Sequence, residues 1–171
     1  MSQDENPIRY FDNRLQKEAV KLLPGQYYAT ASDKALVTIL GSCVAACIFD
    51  QEKKIGGMNH FMLPDLNFTT NLDACLATKY GVHAMNMLID QLVHLGARRN
   101  KLMAKAFGGG KVLPGFVQQD IGRVNAEFVL EYLDDANIPL ISSDLMSTYA
   151  RKIYYFPADG NVYMKRIREF N

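Results

Sequence analysis

Residues 37–50, VTILGSCVAACIFD, constrain this chain more than any other stretch. β-Branched and aliphatic residues on both sides of a Gly-Ser-Cys predict two strands separated by a break. Gly41 has no side chain to pack and weakens an extended run. Its presence therefore marks a bulge, a bend, or a close approach of backbone to a ligand. Cys43, just past that break, has two readings. It is a nucleophile held at the end of a strand, or a small buried hydrophobe, which is how free cysteines commonly behave. The stretch by itself leaves both open.

The flanking sequence predicts a β-rich first third. QYYATAS and ALVTIL read as strands, VAACIFD resumes after the break, and KKIGGMNHFMLP is a further strand stopped by Pro64. Lys53 and Lys54 fall in the turn between the last two, so an antiparallel meander is expected. Before it, RLQKEAVKLL reads as a short helix closed by Pro24 and Gly25, and residues 1–22 read as a peripheral segment ahead of a domain spanning 23–171. DLNFTTNLDACLATK is a polar connection. From Tyr80 the period changes: Val82, Met85, Leu88, Ile89, Leu92 and Val93 recur at helical spacing, with Gly96 just past the helix end. KLMAKAF is the next strand, followed by Gly108-Gly109-Gly110. A second helix begins near Ile121, with Val124, Phe128 and Tyr132 on one stripe and Val129 and Leu133 beside it, ended by Asn137 and Pro139. LISSD, RKIYYF and NVYMKRI close the chain as strands, the last two joined at Asp159-Gly160. Strands in groups with two long helices predict an α+β layered domain.

Composition narrows the function classes. With 171 residues, 49% of them hydrophobic, the chain supports one core and a single domain. Nineteen Lys and Arg against 18 Asp and Glu give no support to a nucleic-acid or membrane-surface protein. Arg98, Arg99 and Lys101 form a small basic cluster that reads as a solvated loop. No apolar run is long enough to span a bilayer, and the polar start lacks a signal-peptide core, so the expected compartment is the cytoplasm. Three cysteines, Cys43, Cys47 and Cys75, without CxxC spacing fit free thiols.

A cysteine nucleophile needs a base, and histidine is suited to it near neutral pH. His83 and His94 fall on or beside the first helix and read as surface residues. His60 lies inside an apolar strand, between paired glycines and a proline. A hairpin centred near residues 51 and 52 sets Cys43 opposite His60, about 5 Å apart at the side-chain roots. A core histidine bonded to backbone is the alternative. Thr38, on the strand before the break, offers a hydroxyl that could orient the imidazole, although threonine is also simply a good strand residue. If Gly41 bends the chain, the backbone N–H groups of Ser42 and Cys43 form an oxyanion hole. Asn59, next to His60, is a further substrate-binding candidate. Zinc shared by Cys43, Cys47 and His60 is disfavoured, because strand residues i and i+4 stand about 13 Å apart. That separation also disfavours a Cys43–Cys47 disulfide, and with it a thiol redox sensor. The triple glycine lacks a phosphate-loop pattern.

TILGSCVAACIFD, GGMNHFMLP, the run from KYG to AFGGG, IGRVNAEFVLEYL and ARKIYYFPADG together resemble the chemotaxis family CheD in order and spacing, from about Leu23 to Arg166. The resemblance implies a three-layer α/β/β sandwich and deamidation of selected glutamines of chemoreceptors to glutamate, with no metal or organic cofactor. It implies Cys43, His60 and Thr38 as the catalytic residues. It also implies a CheC-like phosphatase as a possible second partner, for which the chain would act as an adaptor. Two departures stand out. Some members place one more residue between the Thr and the Cys. Members also often carry two glycines where this chain has Met146 and Ser147.

Overall fold

Every residue of the strand Val44–Asp50 is buried, which requires a layer of structure on each of its faces. The computed structural model describes residues 6–64, 71–113 and 120–167. In chain order its elements are β1 (Ile8–Asp12), β2 (Lys17–Lys21), β3 (Tyr27–Thr30), β4 (Ala35–Leu40), β5 (Val44–Asp50), β6 (Ile55–Asn59), α1 (Asn71–His94), β7 (Met103–Gly108), α2 (Ile121–Asp135), β8 (Leu140–Leu145), β9 (Ala150–Phe156) and β10 (Asn161–Ile167), with a short 3₁₀ turn at Arg99–Lys101. The strands form two five-stranded mixed sheets, ordered β1-β2-β4-β9-β10 and β3-β6-β5-β7-β8. Both helices cover the outer face of the second sheet, and the first sheet covers its inner face. The result is the expected α+β sandwich of three layers.

The alternation of side chains along each strand assigns the two cores. On β5, Val44, Ala46 and Ile48 join Met85, Leu88 and Leu92 of α1 and Val129 and Leu133 of α2. Ala45, Cys47 and Phe49 turn the other way, toward Leu36, Leu40, Ile153 and Tyr155 of the first sheet. Cys47 and Cys43 thus share the inter-sheet side, Cys47 fully buried and Cys43 half-buried at its margin.

Several sequence expectations are corrected here. RLQKEAVKLL forms no helix. Its residues build the β1–β2 turn and β2, which pairs parallel with β4 through Ala19–Ala35, Val20–Leu36 and Lys21–Val37. Tertiary pairing overrides the helix propensity of Lys, Glu and Ala. The stretch from β3 to β6 is not a meander either, because β4 joins the other sheet and only β5 and β6 of these four form a hairpin. Helix α1 starts at Asn71, nine residues before Tyr80. Its first turns expose Leu72 and Leu76, so they carry no apolar stripe and were invisible to periodicity. Val93 is exposed rather than core. In α2 the buried stripe is Asn125, Ala126, Val129 and Leu133, with Val124, Phe128 and Tyr132 at its edge. Arg98 is not a solvated cation: its Nε and Nη2 donate to the carboxylate of buried Asp50, both at 2.9 Å, and its backbone N–H donates there at 3.0 Å. These bonds hold the Asp50 carboxyl far below the usual carboxylate range.

Candidate active site

Asp50 closes β5, and its carboxylate accepts at 3.3 Å from Lys53 N–H in the β5–β6 turn. Residues 51–54 form it, so Asp50 pairs with Ile55, Cys47 with Met58, and beyond the strand Val44 pairs with Phe61. The position opposite Cys43 is therefore Met62, not His60. The expected register was wrong by two residues, a slip that preserves the face of every side chain. Cys43 and His60 stay on the inter-sheet side as diagonal neighbours, a separation that long side chains span.

The imidazole of His60 crosses between the sheets. Its Nδ1 lies 2.7 Å from Thr38 Oγ1 on β4, and that hydroxyl donates to the Leu22 carbonyl at 2.7 Å. A hydroxyl has one proton. With that proton committed to Leu22, Thr38 can only accept from His60, so Nδ1 carries the hydrogen and Nε2 keeps its lone pair. Nε2 is buried and has no hydrogen-bond partner among the described residues. Burial lowers the His60 pKa to about 4, which keeps the ring neutral at physiological pH. The ring is further placed by its backbone, whose N–H donates to Gln26 O at 3.0 Å and whose carbonyl accepts from Gly25 N–H at 2.8 Å. Thr38, on the chain's other sheet, thus reaches the imidazole despite its different spacing from the cysteine.

Cys43 ends a turn held by its carbonyls. Gly41 O accepts from Gly110 N–H at 2.9 Å, Ser42 O from Asn125 Nδ2 at 2.9 Å, and Cys43 O from Gly109 N–H at 2.8 Å. Among the described residues, no acceptor takes the N–H of Ser42, and that of Cys43 faces only its own sulfur. Burial pushes the Cys43 thiol up, opposed by its own backbone N–H, which favours the thiolate. The thiol and the imidazole are therefore both neutral at physiological pH.

The triple glycine explains itself here. Gly108 has φ +110°, and a Cβ on it would stand 2.1 Å from the Cys43 carbonyl oxygen. The triplet holds the cysteine turn from beneath and takes no phosphate-loop role.

The structure does not bring Asn59 to this group. Its Oδ1 accepts from Ala46 N–H at 2.9 Å and its Nδ2 donates to Met85 Sδ at 3.3 Å, on the helix side of the sheet. Adjacent strand residues face opposite ways, so Asn59 braces the sheet while His60 faces the cysteine. His83 and His94 are exposed on α1. Sequence reasoning missed Asn125, although a polar residue within the apolar stripe of α2 was its available signal.

The thiols should separate by reactivity. At neutral pH iodoacetamide is expected to modify exposed Cys75 first and half-buried Cys43 more slowly. Cys47, wholly buried with its thiol pushed strongly up, should react only on unfolding. Timed quenching and peptide mapping check this, and native-state modification of Cys47 at the rate of Cys43 would contradict the packing.

A family model described as CheD chemotactic sensory transduction matches residues 62–166, more than half of the chain. Over 162 residues the chain is 51% identical to a probable chemoreceptor glutamine deamidase CheD 1 of Shewanella oneidensis, covering 95% of this chain and 79% of that one. The chain belongs to the CheD family. Similar CheD relatives occur in Dechloromonas aromatica, 50% identical over 93% of this chain and 78% of that one, and in Methylobacillus flagellatus, 50% identical over 95% and 80%. Both carry the name probable chemoreceptor glutamine deamidase. No helix among the described residues is long and apolar enough to cross a membrane.

The departure of this CheD chain at Met146 and Ser147 has a backbone consequence. Both residues adopt left-handed conformations, φ 67° and 69°, where glycine suffers no Cβ clash. Their loop is held by Arg151, a fully buried guanidinium that donates to the carbonyls of Gly108, Asp144 and Met146 and pairs with the Asp144 carboxylate at 3.0 Å. Met146 N–H donates to Gly108 O, and Lys111 N–H to Ser147 O, both at 2.8 Å, so the loop abuts the glycines under Cys43. Glycine at either position should relieve about 1 kcal/mol of backbone strain, partly offset by the freer unfolded chain. Met146→Gly and Ser147→Gly are each expected to raise the thermal midpoint. A fall in the double variant would mean that the lost side-chain contacts outweigh the strain.

Proposed function

We propose that this chain hydrolyses the side-chain amide of selected glutamines in chemoreceptors, producing glutamate and ammonia. The observation that carries the reading is the Leu22–Thr38–His60 chain of hydrogen bonds, which leaves Nε2 as a base unpartnered among the described residues, on the inter-sheet side that Cys43 shares. Family membership supplies the substrate class.

In the proposed reaction Cys43 Sγ attacks the carboxamide carbon while its proton passes to His60 Nε2. The resulting oxyanion takes the N–H groups of Ser42 and Cys43, which preorganised donors stabilise more than they do the planar amide. His60, now cationic, returns the proton to the amide nitrogen. The C–N bond breaks, ammonia leaves, and a thioester remains. Neutral His60 then takes a proton from water as its oxygen attacks the thioester. Collapse of that second intermediate breaks the C–S bond and releases glutamate, and His60 returns its proton to the sulfur, restoring the thiol and the neutral imidazole. The cycle needs no cofactor. Burial of Nε2 favours it as a base that stays neutral until substrate arrives, and the imidazolium exists only while charge develops nearby. The reaction belongs to the cytoplasmic side of the receptor in this proposal.

Co-expression of a chemoreceptor with the wild type or with Cys43→Ala tests it. Peptide mass spectrometry should show Gln-to-Glu conversion with the wild type alone; unchanged glutamines in both cultures would refute the assignment. The proposal of a CheC-like phosphatase as second partner is tested by co-purification with the same inert variant.

A further inference from the structure

We propose that Asn125 is a positioning residue that aims the oxyanion-binding N–H of Cys43, a role that rests on the deamidase reading above. Asn125 has no exposed surface. Its Nδ2 donates to Ser42 O and its Oδ1 accepts from Leu63 N–H, both at 2.9 Å, across 83 and 62 residues of sequence. Ser42 C=O and Cys43 N–H belong to one peptide unit. That unit is planar and trans, so its carbonyl and N–H point in opposite directions. Holding the carbonyl from α2 therefore turns the Cys43 N–H away from the helix and locks its direction. The same carboxamide grips Leu63, three residues past His60, so one side chain ties the nucleophile's turn to the segment that carries the base.

The neighbourhood is built to let Asn125 reach. Gly122 lies one turn earlier on the same face of α2, and a Cβ on it would stand 2.5 Å from the carbonyl oxygens of both Gly109 and Gly110. Only glycine there lets the helix approach the cysteine turn so closely. Asparagine is a poor residue for a helix interior, and a buried carboxamide gains nothing over leucine unless both its ends are bonded. Here both ends are, and one of them is bonded to the peptide unit that faces the reaction.

The test is Asn125→Asp, which keeps shape and the acceptor for Leu63 N–H but removes the donor to Ser42 O. At neutral pH kcat for receptor deamidation should fall at least about tenfold, with KM within about twofold. Alkylation of Cys43 by iodoacetamide develops no oxyanion and should stay within about twofold of wild type. As pH falls, the buried carboxyl protonates, regains a donor, and the ratio of variant to wild-type kcat should climb back. A pH-independent ratio, wild-type turnover at neutral pH, or a parallel loss of alkylation would each overturn the proposal. Should Asn125→Asp not fold, Asn125→Ala leaves a space that added formamide, with its own donor and acceptor, should fill and so restore turnover. No restoration, or failure of both variants to fold, also overturns it. If the wild type leaves receptor glutamines unchanged, the deamidase reading falls and this inference with it; if the wild type is active and Asn125→Asp matches it, only this inference falls.

Discussion

Cys43→Ser is expected to abolish receptor deamidation while leaving the fold intact. The substitution changes one atom in a half-buried side chain whose turn is held by backbone carbonyls, so nothing that supports the turn is lost. The thermal midpoint should shift by no more than about 2 °C. Chemistry is different. A serine hydroxyl is far less acidic and less nucleophilic than a thiol, and His60 by itself cannot compensate. Turnover should drop by about four orders of magnitude or more. Cys47→Ser is the matched contrast. It places a hydroxyl among Leu36, Phe49 and Tyr155 in the inter-sheet core and should cost about 1–3 kcal/mol of stability while leaving kcat in place. Deamidation by Cys43→Ser within tenfold of the wild-type rate would remove Cys43 from the mechanism. A large loss of stability would return it to the core-cysteine reading.

Thr38→Val should be nearly as damaging, for a reason the pH profile can expose. Valine matches threonine in shape but strips the acceptor from His60 Nδ1–H and the donor from Leu22 O. The ring is then free to place its proton on Nε2, where it can no longer accept from Cys43. A wrong imidazole tautomer costs on the order of 10²–10⁴ in kcat. Thr38→Ser keeps the hydroxyl and should recover most of the rate, which separates hydrogen bonding from packing. In the wild type, His60 must be neutral to act as base. Because burial lowers its pKa to about 4, the acid limb of kcat/KM should fall near pH 4 rather than near the ordinary imidazole value. The raised Cys43 thiol leaves the plateau open on the alkaline side. A narrow bell centred near pH 6.5, or full turnover by Thr38→Val, would contradict the neutral-pair account.

The same shift ties His60 to stability. Its folded pKa lies below the unfolded value, so the unfolded chain binds the extra proton between about pH 6.5 and 4. Stability contributed by the neutral ring is present above that window and is lost as pH falls through it.

Much of this site was legible before any coordinates. The Gly-Ser-Cys break, the histidine between paired glycines and a proline, and the threonine one strand earlier are local signals; Thr38 and His60 meet between the two sheets, and Cys43 lies on the same inter-sheet side. Strand alternation and the helical period likewise reported the α+β class, since each depends only on which way successive side chains point. What misled the reading was in part a partner distant in sequence. β2 became a strand because β4 offered it a parallel edge. The cysteine and histidine are offset by two residues because the turn holds residues 51–54, with Asp50 paired to Ile55. Asn59 was drawn to the site by adjacency to His60, yet adjacency on a strand means opposite faces.

The sequence by itself determined the chemistry available: one thiol at a broken strand, one base in an apolar strand, one hydroxyl able to orient it. Tertiary structure decided which atoms can use that chemistry. The tautomer of His60 follows from a carbonyl at Leu22, and the direction of the Cys43 N–H follows from a carboxamide on α2. The glycines beneath the cysteine are demanded by backbone that arrives from 65 residues away. Hydrogen bonds between such remote groups leave no periodic trace in a chain, because their geometry exists only after the layers have packed.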